Sequence, residues 1–156
     1  MDKVKYKTLR HIETVRNFIN LCVRELLTRG ETHDQSKLVS PEAEVFDKYT
    51  AKLAKTTYGS KQYQKFLEEL KPTLDHHYAH NRHHPEHFKD GIIDMNLVDL
   101  FEMLCDWKAS SMRHEDGNIL KSIEINQKRF GFTDELKHIL ENTAGWLDSN
   151  KITHKE

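Results

Sequence analysis

The sequence predicts an all-α fold of five to seven helices, on three observations. Apolar residues recur at spacings of three and four along most of the chain. Strand-type alternation is hard to find anywhere. The candidate connectors are short and built from Gly, Asn, Asp, Ser and Thr. The first helix is expected over residues 6–28, where Leu9, Ile12, Val15, Ile19, Cys22, Val23 and Leu26 form one apolar stripe, with Gly30 as its C-cap. Ser40, Pro41 and Glu42 read as an N-cap, a first-turn proline and a first-turn acid, opening a second helix to about residue 54. Residues 55–60 read as a loop, with Ser60 capping a long helix that runs into a histidine-rich stretch. Asp90-Gly91 makes the next break. Asn96 with Asp99 three residues on forms a capping-box pattern for a helix to about residue 113. Asp116-Gly117-Asn118 is a turn, and Gly131 followed by Thr133 separates the last two helices.

A chain of 156 residues is long enough for one sizeable core, so a single domain over 1–156, with its core at about 6–149, is expected. Lys and Arg number 24 against 25 Asp and Glu, a formal charge of −1 that provides no bulk field toward nucleic acid or an anionic membrane. No apolar run approaches the roughly 18 residues of a membrane span, and no secretory leader pattern opens the chain. The two cysteines, Cys22 and Cys105, are too few for a disulfide framework, and a reducing cytoplasm is the natural setting.

The chemistry-bearing residues fall in three places. His33-Asp34-Gln35-Ser36-Lys37 pairs a neutral imidazole with an anionic carboxylate, a natural couple of metal ligands. His11 shares the first helix's stripe with Val15, Phe18 and Cys22 and is expected to point inward; a lone inward histidine is also read as an ordinary core residue. Asp99, Glu102 and Asp106 share one helical face. Asp99 reads there as part of a solvated acidic stripe, and Asp106, between Cys105 and Trp107, as a buried or half-buried acid. Of 11 histidines, six lie between His76 and His87, too dense a run to be read as mere solvation. On a continuing helix His76, His80, His83 and His87 line one face and His77, Asn81 and His84 another. Pro85 ends regular helix near His83 or His84 and favours the second face, with His83, turning inward.

Taken in order, His11, His33-Asp34 and Asp106 give the pattern H…HD…D. On an all-helical chain this resembles the HD-domain superfamily of metal-dependent phosphohydrolases. More closely, HDQSK (33–37), NRHH (81–84) and EMLCDWKA (102–109) together are similar to a family of small phage and bacterial HD-like proteins. The resemblance implies that His11, His33, Asp34 and Asp106 bind one divalent metal that activates a water, and that Asp34 and Lys37 serve catalysis. A mixed N/O site suits Mn, Fe, Ni or Zn better than Ca. It further implies a second metal at His77, His83 and His84, bridged through Asp34. Lys37 and Arg82 are candidate phosphate contacts; Lys37 is equally read as a solvent-exposed lysine, and Arg82 as a salt-bridge partner of Glu86. The expected function is hydrolysis of a phosphate ester or anhydride, in a small phosphorylated substrate such as a nucleotide. The rival reading is a non-catalytic binding module, a phage-type effector or ligand-sequestering protein stabilised by its metal. Nucleic-acid binding is disfavoured by the neutral charge.

Overall fold

A computed structural model describes residues 3–54, 61–113 and 117–150. Six α-helices run through them: α1 (Lys3–Thr32), α2 (Glu42–Ala54), α3 (Lys61–His80), α4 (Leu97–Ser111), α5 (Ile119–Phe130) and α6 (Asp134–Ser149). Short 3₁₀ turns span Gln35–Leu38, Pro85–His87 and Gly91–Asp94. No strand occurs among the described residues, and the fold is all-α. The expected loop at 55–60, the Ser60 cap and Asp116 of the expected turn lie outside the described residues. No helix among the described residues is long and apolar enough to cross a membrane. The chain divides into two compact units, Met1–Gln35 and Ser36–Glu156.

The first unit is dominated by α1, which continues past Gly30, where a stop was expected. The left-handed residue that turns the chain is Asp34, at φ 57°, not the glycine. Aspartate tolerates that conformation better than most side chains. Thr28 and Thr32 donate their hydroxyls to carbonyls four residues back (3.1 and 2.9 Å), and Arg29 Nε donates to Glu25 Oε1 at 2.7 Å across one turn. None of the α1 residues is buried. The stripe expected to face inward is exposed, with Val15 at 42% and Phe18 at 66%.

The second unit holds the core. Ile92, Met95, Met103, Leu104, Ile119, Ile123, Phe132, Leu140 and Ala144 are buried together, with Leu100, Trp107 and Leu136 packed against them. The capping box expected at the start of α4 is present. Asn96 accepts from the backbone of Val98 and Asp99 (2.8 and 3.0 Å), and Asp99 accepts from the backbone of Asn96 at 3.1 Å, completing the capping box. Asn118 and Thr133 cap α5 and α6, and Gly131 ends α5 at φ 69°, a conformation open to glycine. α2 and α3 pair beside this group, where Tyr49 and Leu70 are buried and Tyr49 Oη donates to Glu69 Oε2 at 2.6 Å.

Candidate metal centre

In the second unit the histidine-rich stretch is split by the end of a helix. α3 stops at His80, and the chain turns through Asn81–His84 before Pro85 opens a 3₁₀ turn. Proline disfavours helical backbone in the residue before it, and His84 accordingly lies extended at φ −96°, ψ 128°. This break lets residues from two different backbone geometries meet. His77, in the last turn of α3, and His83, beyond it, are both buried, at 1% and 2% exposure. His84 is partly buried beside them. One ring nitrogen from each of His77, His83 and His84 lies within 4.8 Å of those of the other two. The closest pair is His77 Nε2 and His84 Nε2, at 3.0 Å. Two nitrogens bound to one ion by bonds of about 2.0–2.1 Å would stand roughly 2.8–3.4 Å apart at right-angle to tetrahedral geometry. The three imidazoles therefore form a cluster that could hold a metal ion.

Carboxylates stand behind the ring nitrogens. Glu42, the first residue of α2, is fully buried and accepts at both oxygens. His76 Nδ1 donates to Oε1 at 2.8 Å; His77 Nδ1 and the Ser36 hydroxyl each donate to Oε2 at 2.9 Å. Asn81 completes this group, its amide donating to Ser36 Oγ at 2.9 Å and to the His77 carbonyl at 2.8 Å. Burial alone would raise the Glu42 pKa, but the hydrogen bonds from His76, Ser36 and His77 outweigh it and hold the carboxyl below its ordinary value. On the other side, His83 Nδ1 lies 3.1 Å from Glu102 Oε1, on α4. Burial, reinforced by the neighbouring His83 and His77 rings, pushes the His84 pKa down to about 3, with Asp106 opposing the shift. His84 is thus neutral at pH 7, the form that ligates metals. Burial also raises the Cys105 pKa, which keeps its thiol protonated.

The residues expected to act fall into three sets. His77, His83 and His84 come together, with Asp106 half-buried on α4 and near enough to His84 to act on its charge. Lys37 lies at the margin of the same group, its ammonium 5.5 Å from the centroid of the Phe46 ring, while Phe46 meets His77 edge-on at 6.0 Å. His33 and Asp34 belong to the first unit, where His33 Nε2 is 3.7 Å from Asp34 Oδ2 and both are half-buried.

Three expectations are corrected. His11 is exposed on α1 instead of inward, and since α1 is one continuous helix it stands about 30 Å along the axis from Thr32. It therefore cannot share an ion with His33 of the same chain. Asp99 is fully buried, not part of a solvated stripe, because it both closes the α4 capping box and receives Arg82. Arg82 in turn neither pairs with Glu86 nor offers its fork to a phosphate. Its Nε and Nη2 donate to the two Asp99 oxygens at 3.2 and 3.0 Å, and its guanidinium lies 4.8 Å from the Phe88 centroid, while Glu86 accepts from Arg129 at 2.6 Å.

Glu42 went unrecognised in the sequence, where a first-turn acid after Ser-Pro reads as a helix-dipole partner. Nothing in the local pattern separates that role from burial against two histidines. A family model described as a family of unknown function (DUF5662) matches the chain over residues 1–149. No curated protein and no solved structure matches the chain.

Proposed function

We propose that this chain, which belongs to the DUF5662 family, is a metal-dependent phosphohydrolase acting on a nucleotide or a related phosphate ester or anhydride. The observation that carries the reading is the convergence of His77, His83 and His84, with His84 held neutral and carboxylates behind His77 and His83. A neutral nitrogen set with carboxylates at hand suits Mn, Fe, Ni or Zn. Asp106, half-buried on α4 and near enough to His84 to act on its charge, is the candidate for a further ligand; His33 and Asp34 are the ligands that the HD resemblance implies.

A divalent ion bound there would polarise a phosphoryl oxygen and acidify a bound water. The chain's own groups supply the rest. Lys37, at the margin of the cluster, neutralises the phosphate as a point charge. Asp106, partly buried beside His84, would offer the ion an anionic oxygen. The two free cysteines, Cys22 and Cys105, suit a reducing, cytoplasmic setting.

One observation favours a second reading. His77 and His83 are almost wholly enclosed, and closed sites are more typical of structural than of catalytic metals. The alternative is therefore a binding module stabilised by its metal. Phosphate release from nucleoside mono-, di- and triphosphates, measured with each of Mn, Fe, Ni and Zn, separates the two. Release that disappears in Asp34→Ala and Asp106→Ala supports the hydrolase. A metal-loaded protein that releases nothing across the panel contradicts it and leaves the binding module.

A further inference from the structure

We infer that Glu42 is a positioning residue that fixes the His77 imidazole with its hydrogen on Nδ1 and its lone pair on Nε2, aimed at His84. The inference deepens the metal reading, on which its consequence for affinity rests.

Glu42 is fully buried, and a buried carboxylate is stable only if its oxygens are met by donors. Three side chains meet them: Ser36 and His77 at Oε2, His76 at Oε1. An ionised carboxylate can only accept, and the Asn81 amide, 3.0 Å from the same ring nitrogen, directs its two hydrogens to the closer Ser36 Oγ and His77 carbonyl, so the His77 nitrogen facing Glu42 at 2.9 Å carries the hydrogen. The tautomer follows: Nδ1–H toward Glu42 and a bare Nε2, 3.0 Å from His84 Nε2. An imidazole that shows its lone pair to a metal while its other nitrogen donates to a carboxylate is both oriented and made more basic. The same carboxylate accepts from His76, whose ring stacks on His80 at a centroid distance of 4.2 Å, so a single group sets two consecutive imidazoles.

Glu42→Gln keeps the shape and removes the charge. Its amide has one oxygen where Glu42 has two and presents an NH2 donor at the other position, so the two histidines compete for a single acceptor atom. The test reads ¹⁵N chemical shifts of the imidazoles in metal-free protein at neutral pH, then Zn(II) affinity by competition titration, for the parent, Glu42→Gln, Glu42→Asp and Ser36→Ala. The parent should show His77 as the Nδ1–H form. Glu42→Gln should lose the dominance of that form and bind zinc about 10–100-fold more weakly. Glu42→Asp should restore part of both signals, and Ser36→Ala, which spares the carboxylate, should keep the tautomer. A parent His77 carrying its hydrogen on Nε2 overturns the inference, as does a Glu42→Gln protein in which the shifts of both His76 and His77 are unchanged. Should Glu42→Gln not fold, the parent's tautomer and Glu42→Asp decide the matter. A parent that shows the expected tautomer yet binds no metal sinks the hydrolase reading and leaves the positioning by Glu42 standing.

Discussion

Helix α1 and the turn after α3 invert the usual rule of burial. α1 carries Val15, Phe18 and Ile19 on one stripe and buries none of its residues, whereas the last turn of α3 and the segment after it bury His77 and His83, and Glu42 and Asp99 are buried outright. Apolar character alone does not decide what is enclosed. A polar group is tolerated inside when its partners are supplied, and here they are: two imidazoles and a hydroxyl for Glu42, a guanidinium fork and a capping amide for Asp99. The inverse also holds. Periodicity makes α1 a helix, but an apolar stripe is buried only where a surface meets it.

The contrast breaks most sharply at Asp99. Asp99→Ala removes the partner of the half-exposed Arg82 guanidinium and opens the α4 capping box at once, so urea unfolding should show a loss of about 2 kcal/mol. A loss under about 0.5 kcal/mol would mean that the pair and the box contribute little. Acid probes the imidazole side. Between the ordinary value near 6.5 and about 3, the unfolded chain protonates at His84 and the folded chain does not. Stability of the metal-free protein is therefore complete above about pH 6.5 and falls as pH drops, by up to about 1.4 kcal/mol per unit. The lowered Glu42 adds to the same trend in more acidic solution. Urea midpoints at pH 7 and 5 should differ in the parent and differ less in His84→Gln; a midpoint that rises at pH 5 contradicts the burial of a neutral His84. The smallest effect belongs to α1. Phe18→Ala on its exposed face should change stability by no more than about 0.5 kcal/mol. A loss above about 2 kcal/mol would show that the stripe is covered in solution, and the contrast between the two regions would fail.

The sequence carried the helices well where local chemistry ends them. Asn96 and Asp99 act through neighbours two and three residues away, and their capping box could be read directly; Asn118, Gly131 and Thr133 were read as connectors, and they cap or end the helices that those connectors join. Gly30 misled because a glycine only permits a stop; the turn is made by Asp34, whose left-handed backbone no local rule demands. The convergence of His77, His83 and His84 was readable because Pro85 constrains the chain within eight positions of all three. His11 failed for the opposite reason. Its proposed partners lay 22 or more residues away, and the order of motifs along the chain says nothing about a helix that runs straight between them. Glu42 was hidden because its partners, His76 and His77, are 34 and 35 residues distant. Arg82 and Asp99 hid each other, since each alone resembles a surface charge.

The central claim is that the His77, His83 and His84 cluster binds a divalent metal. Its most direct test is elemental analysis by mass spectrometry after loading with Mn, Fe, Ni or Zn and exhaustive dialysis at pH 7.5, for the parent, His77→Ala and His84→Ala. The account predicts at least one ion per chain in the parent and its loss in both variants, with helical circular dichroism unchanged. A parent that retains none of the four metals, or variants that retain as much as the parent, would contradict it.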